Sequence, residues 1–439
     1  MKQIYETENK KEKAIIAIFI QKGSNRDEAM DNLNELALLL DTAGAEVVEK
    51  IYQELQTQSV STLFGKGKVE ELAVLIEEHQ ATMVVFDNEL SPVQVRNLSN
   101  TLKVKILDRS SIILDIFARN AKTLEAQLQV ELAQNLYLLP RLSRMWTHLS
   151  KQYGGVGTKG PGETQIETDR RIIRKRIQIL KDKLNTINVQ NFEQRKSRQG
   201  IPRFALVGYT NAGKSTLMNA LTNAGVYVED KLFATLSTVV RQINLPSGKI
   251  GLLSDTVGFI RNLPHHLVAS FRSTLAEASE SDVILIVIDV SDNNFSKQIQ
   301  TVVDTLNDLN IKEKPIIYVF NKIDKLEHLE HIKQIKGEYP NAVFISAKKN
   351  MNISELVNQM EKDYDRLSNF LELFIPYEKN SELNKIYSIC KVIERKDTDD
   401  GTILKINFQT ELDSQIRNLF GQYISTKGLF GGYVKLDTV

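Results

Sequence analysis

Phe204-Ala-Leu-Val-Gly208-Tyr209-Thr210-Asn211-Ala212-Gly213-Lys214-Ser215-Thr216 is the stretch whose reading decides the fold. An apolar run, Phe204 to Val207, leads into a GxxxxGK[ST] spacing, and Leu217 to Leu221 continue it at helical periodicity. Strand, glycine loop and helix in that order form a phosphate cradle. The glycines let backbone N–H groups converge on phosphate oxygens, Lys214 neutralises the β and γ charges, and the Ser215 hydroxyl can ligate magnesium. The stretch therefore predicts an α/β fold that binds a nucleoside triphosphate, without naming the base.

The base is named further along. Asn321-Lys322-Ile323-Asp324 closes the apolar strand Pro315 to Phe320, where a carboxylate can accept from the N1–H and exocyclic amine of guanine, groups adenine does not present. Asp324 thus selects GTP. Asn321 and Lys322 brace the loop and cover the base, and Ser346-Ala347-Lys348, after the strand Ala342 to Ile345, offers a backbone N–H to the guanine oxygen. Between cradle and base lie two switch candidates. Asp255-Thr256-Val257-Gly258 follows the strand Lys249 to Ser254, giving a carboxylate that orients magnesium through water and a glycine N–H that senses the γ-phosphate. Phe233-Ala234-Thr235-Leu236 carries the threonine expected to complete the magnesium shell, with Thr238 as its competitor. Lys214, Thr235 and Gly258 are the expected catalytic set, and Ser215 and Thr235 the metal ligands. The residue after Gly258 is Phe259, whose ring cannot orient an attacking water, so intrinsic hydrolysis is expected to be slow and to need a docked partner.

Working outward, the chain divides into four expected units. Residues 1–108 alternate short β-branched runs with amphipathic segments, from Ala14 to Ile20 through Val104 to Leu107, and read as a small α/β domain with mostly parallel pairing. Over 109–200 the strand signal vanishes. Leucines at 124, 128, 132, 136 and 139 mark one face of a helix some seven turns long, and Ile173, Ile177, Leu180, Leu184 and Ile187 mark a second stripe at heptad spacing. The glycine-rich break Tyr153 to Gly162 between them predicts an antiparallel helical hairpin with this loop at its tip, each arm about 30–40 Å long. Residues 201–367 hold the phosphate cradle, and 368–439 read as a small α+β unit with a tight turn at Asp400-Gly401.

Charge is balanced overall, 56 basic against 55 acidic side chains, so whole-protein charge names no partner. Locally it is not balanced. Between Pro140 and Gly200 fourteen cations face five carboxylates, and Trp146, His148 and Tyr153 sit nearby as stacking planes, so the hairpin reads as an RNA-binding arm rather than only a solvated face. The single cysteine, Cys390, excludes an internal disulfide framework and is expected to be buried on a strand. The apolar run after Lys10, Lys11 and Lys13 is too short for a secretory signal, and no stretch approaches a membrane span, so a cytoplasmic protein is expected. Gly155 to Gly160 imitates a phosphate loop but has no strand before it. The Gly65 to Lys68 turn could bind an anion at a helix start, and His265 and His266 read as surface residues.

The sequence resembles the HflX family of translation-factor-related GTPases beyond the nucleotide motifs. The shared segments include Gly65-Lys-Gly-Lys-Val-Glu-Glu-Leu72, Leu107-Asp-Arg-Ser110, Ile113-Leu-Asp-Ile-Phe-Ala118 and Glu125-Ala-Gln-Leu-Gln-Val-Glu-Leu-Ala-Gln134. They continue through Leu139-Pro-Arg-Leu142, Gly154-Gly-Val-Gly157, Gly160-Pro-Gly-Glu-Thr-Gln-Ile-Glu167, Asp169-Arg-Arg171 and Asp230-Lys-Leu-Phe-Ala-Thr-Leu236. The resemblance covers residues 14 to 367. It implies a monomeric, magnesium-dependent GTPase that binds the large ribosomal subunit, splits or rescues stalled or idle ribosomes under stress, and reaches toward the peptidyl transferase centre with the hairpin tip. Relatives often read Asp-Pro-Thr where this chain has Ser237-Thr-Val, which puts the detailed form of the first switch in question. The competing reading is a GTP-gated regulator of a membrane protease or another protein, with little turnover.

Overall fold

The computed structural model describes residues 11–142, 161–196, 201–222, 232–233, 238–261, 277–308, 311, 314–326, 330–409 and 413–425. The first unit is an α/β sheet of β1 (Lys13–Gln21), β2 (Glu46–Leu55), β3 (Met83–Phe86) and β4 (Lys105–Asp108), all parallel in the order β2-β1-β3-β4. Helices α1 (Arg26–Ala43), α2 (Lys66–His79) and α3 (Pro92–Leu102) make the crossovers. Ala14 to Ile18 of β1 are buried because helices cover both faces, which is why the run reads as continuously apolar. Local signals place the ends. Asn25 caps α1, whose last turn closes on Gly44 in the left-handed region, and Ser91 with Gln94 forms a reciprocal capping box at the start of α3.

α4 (Arg109–Asn120) follows β4 directly and packs on α1. It is separate from α5 (Leu124–Leu138), since the Thr123 hydroxyl accepts from Ala126 N and starts a new helix. The leucine stripe therefore rides on fifteen residues, roughly 22 Å, rather than on a seven-turn helix. α6 (Pro161–Lys196) is much longer, thirty-six residues or roughly 54 Å, so the arms are unequal and not both of the expected length. It begins on Pro161, a residue well suited to the first helical turn, and takes in Gly162, which the sequence reading assigned to the tip loop. Tip residues 153–160 and Trp146 and His148 lie outside the described residues. Leu128, Leu132, Leu136 and Leu139 of the first stripe meet Ile173, Ile177, Leu180, Leu184 and Ile187 of the second in a small core of their own. Arg176 grips Glu131 across that seam with bonds of 2.6 and 2.8 Å.

The third stretch carries a six-stranded sheet of β5 (Arg203–Gly208), β6 (Val239–Asn244), β7 (Ile250–Asp255), β8 (Val283–Asp289), β9 (Ile316–Asn321) and β10 (Val343–Phe344). Its order is β10-β9-β8-β5-β7-β6, parallel except for β6, which pairs antiparallel with β7. Helices α7 (Lys214–Thr222), α8 (Phe295–Asp308), α9 (Glu330–Glu338) and α10 (Ile353–Arg366) belong to this stretch. The chain leaves β5 toward β7 on one side and returns through β8 on the other, so the carboxyl end of β5 is a topological switch point, where open α/β sheets hold ligands. A last antiparallel sheet, β11 (Ser368–Pro376), β13 (Gly401–Gln409) and β12 (Lys391–Asp397), packs on α11 (Ser381–Ile389) and α12 (Asp413–Phe420). Cys390 is buried in this core, at the residue joining α11 to β12 rather than on the strand itself.

One core runs through the first and third stretches. Leu33, Leu36 and Leu40 of α1 and Ile113 and Phe117 of α4 belong to the same buried cluster as Val207, Phe233, Phe259 and Ile286. Phe117 meets Phe233 edge to face at 4.7 Å between ring centres, and Asn120 Nδ2 donates to Phe233 O at 2.9 Å. Among the described residues no helix is long and apolar enough to cross a membrane.

Because the hairpin core is separate from this shared one, Leu180→Ala is expected to cost about 2–5 kcal/mol there. Hydrogen exchange should accelerate along α5 and the midsection of α6 while the protection of β5 and β8 stays unchanged.

Candidate functional site

The glycine loop lies at the end of β5, where the topology predicts a ligand. Gly213 must be glycine twice over: its φ is +93°, and a Cβ there would fall 2.3 Å from Asn321 Nδ2. Lys214 is buried, and its Nζ donates to Gly208 O at 3.0 Å and Tyr209 O at 2.7 Å, which aims the ammonium back over the loop. Burial pulls its pKa down to about 8, against the smaller opposing pull of Asp255. Ser215 Oγ donates to Asp255 Oδ2 at 2.6 Å, so the hydroxyl and the buried carboxylate at the end of β7 share one spot.

The base-binding end is assembled from three segments far apart in sequence. Asn321 Nδ2 donates to Ala212 O at 2.9 Å and its Oδ1 accepts from Ala347 N at 3.0 Å, pinning the phosphate loop to the Ser346-Ala347-Lys348 turn. Lys322 Nζ donates to Asn211 O at 2.8 Å and pairs with Asp289 at 2.7 Å. Ile323 contributes its backbone N–H to Ile345 O. Asp324, expected to select guanine, accepts from Ser346 Oγ at 2.6 Å, and that bond holds its carboxyl below the usual range.

Of the segment after β7, only part faces the loop. Thr256 is fully buried and its hydroxyl donates to Leu206 O at 2.7 Å, while Val257 joins the shared core, so these two side chains serve packing rather than ligand contact. Gly258 lies against the loop: a Cβ there would sit 3.0 Å from Lys214 Nζ. Phe259 is 4% exposed, its ring turned into the core, and its backbone is strapped to the loop by Phe259 N to Gly208 O at 3.0 Å and Thr210 N to Phe259 O at 2.8 Å. Phe233 is likewise buried. Ala234, Thr235 and Leu236 lie outside the described residues, as do His265 and His266. Thr216 is half-buried on α7.

Comparison with known proteins matches this arrangement. Residues 30–118 fit the family model described as "GTP-binding GTPase N-terminal", 120–198 the "GTP-binding GTPase Middle Region" and 203–322 the "50S ribosome-binding GTPase". The GTPase HflX of Caldanaerobacter subterraneus subsp. tengcongensis is 44% identical over 412 residues, 93% of this chain and 94% of that one. The chain belongs to the HflX family of GTPases. The GTPase HflX of Flavobacterium psychrophilum is 51% identical over 316 residues (71% of this chain, 76% of its own), and that of Escherichia coli K12 is 39% identical over 393 (88% and 92%). As a member of this family the protein binds GTP and hydrolyses it.

The structure also joins Tyr209, expected to contact the nucleotide, to three residues to which the sequence assigned no role, Glu35, Arg109 and Asp87. Tyr209 OH donates to Glu35 of α1 and accepts from Arg261 N, the backbone just past Phe259, at 2.8 Å. Glu35 in turn takes the guanidinium of Arg109, which also binds Asp87 at 2.6 Å. Burial works against the charge of Arg109, yet Asp87 and Glu35 raise its pKa, and burial with Glu35 keeps the Tyr209 hydroxyl protonated. Only the Leu107-Asp-Arg-Ser110 segment hints at this cluster; nothing near Glu35 distinguishes it from a solvated helix charge.

Two outcomes follow from this electrostatics. Glu35→Leu removes one of two counter-charges from Arg109 and the acceptor of Tyr209, and should cost about 3–5 kcal/mol, read as earlier unfolding of both parallel sheets in urea. Nucleotide phosphates restore the ammonium of Lys214, so its folded pKa rises on binding and a proton is taken up above pH 8. GDP affinity should hold steady below that pH and fall above it, by at most about tenfold per unit, in calorimetric titrations that also record the proton uptake.

Proposed function

We propose that this GTPase docks on the large ribosomal subunit through its basic hairpin, and that docking accelerates hydrolysis so as to split or rescue stalled or idle ribosomes under stress. The observation that carries the reading is α6. Arg171, Arg174, Lys175, Lys181 and Lys183 are exposed along it, on a helix held rigid by its seam with α5, which suits a row of contacts to RNA phosphates. The family description "50S ribosome-binding GTPase" over residues 203–322 supports the same partner.

The site fits a magnesium ion. Ser215 Oγ and the Asp255 carboxylate are hard oxygen donors 2.6 Å apart beside the phosphate loop, and with Thr235 they would hold the ion, which would neutralise charge on the β- and γ-phosphates. Lys214 steadies the same phosphates, Gly258 N–H reads the γ position, and Asp324 selects guanine. The buried ring of Phe259 supports slow turnover by the protein alone, because no side chain at that position can orient water. The protein acts as a cytoplasmic monomer without membrane insertion.

Co-sedimentation with purified large subunits tests the partner: retention in a non-hydrolysable GTP analogue, loss in GDP, and loss in either state once residues 154–162 are removed. Equal pelleting in GDP and analogue would refute the gating. Asp324→Asn should weaken GTP binding about tenfold or more while leaving phosphate contacts intact, read as a lost preference for GTP over ATP in competition.

A further inference from the structure

Phe259 leaves a chemical gap, and the strap that buries its ring puts another side chain beside that gap. The backbone N–H of Thr210 is spent on Phe259 O at 2.8 Å, which draws Thr210 against Gly258. A Cβ placed on Gly258 would lie 2.9 Å from both Cα and Cγ2 of Thr210 and 3.0 Å from Lys214 Nζ. The Thr210 side chain and the phosphate-binding ammonium thus converge on one point, at the glycine expected to sense the γ-phosphate. Thr210 is only 7% exposed, and its Oγ1 is buried with no hydrogen-bond partner among the described residues. Buried hydroxyls are nearly always paired, and one left unpaired on the phosphate loop, beside a methyl that meets Gly258, calls for a partner that the bound nucleotide can supply.

We propose that Thr210 is a catalytic residue of basal GTP hydrolysis, its Oγ1–H donating to a γ-phosphoryl oxygen as the bond to GDP breaks. In that step the water oxygen bonds to the γ phosphorus, the phosphorus–oxygen bond to the β-phosphate cleaves, and the water's proton ends on the released phosphate. Thr210 stabilises the equatorial charge by a hydrogen bond and transfers no proton. The inference rests on the family's hydrolysis reaction and is independent of any ribosome.

Single-turnover hydrolysis by the full chain, with magnesium and GTP and no ribosomes, tests it with Thr210→Val, which keeps shape and loses the hydroxyl. The rate should fall about tenfold or more while GDP affinity stays within about twofold, and Thr210→Ser should recover most of the rate. An undiminished rate in Thr210→Val overturns the proposal. Equal slowing in the valine and serine variants overturns it too, since shape rather than the hydroxyl would then matter, as does a parallel loss of GDP affinity, which would mark a scaffold role.

Discussion

A guanidinium 2% exposed to solvent is the constraint on which the rest of this molecule depends. Arg109 cannot shed its proton, so it must be matched by carboxylates wherever it is buried. Asp87 from the end of β3 and Glu35 from α1 meet that demand, and Glu35 has acceptor capacity left for Tyr209 of the phosphate loop. The first sheet and the nucleotide sheet are consequently linked by the Tyr209 hydroxyl, which bonds the Glu35 of this charged cluster. Next door, Asp108 accepts from Tyr137 at 2.9 Å and Arg141 at 3.1 Å, which fixes the end of α5 to the same strand. Two successive residues, the last of β4 and the first of α4, therefore anchor the hairpin on one side and the phosphate loop on the other.

The nucleotide site depends on this link as well as on its own motifs. Tyr209 and Thr210 are consecutive loop residues with different surroundings: one points its hydroxyl to Glu35 and holds Arg261 N, the other sets its Cα and methyl against Gly258. Asn321 does comparable work at the guanine end, tying three segments with two bonds from one amide. The loop is braced before any ligand arrives, which reduces the ordering entropy that binding must supply.

Much of this was legible in the sequence because phosphate and guanine chemistry demand particular residues at strand ends. The cradle at Gly208 to Ser215, the Asn321 to Asp324 segment and the parallel character of the first sheet could be read from spacing and apolar runs. The capping box at Ser91 was signalled by Pro92, and the heptad stripe on α6 by its isoleucines and leucines. The edge strand β6 was missed because Val-Val-Arg-Gln-Ile-Asn has mixed polarity and only one neighbour, so it lacks a buried strand's signature. The unequal hairpin arms escaped because the leucine spacing marks only residues 124–139 and does not say how far the helix that carries it runs. Glu35 and Arg109 were invisible as a pair, being 74 residues apart on elements whose charges ordinarily face water.

Phe233 and Phe259, one from each switch segment, are both sunk in the core that α1 and α4 share with the nucleotide sheet. Any rearrangement that withdraws either ring bares aromatic carbon to water, and hydrating such surface raises the heat capacity. The equilibrium between switch arrangements would then bend with temperature rather than follow a straight van't Hoff line.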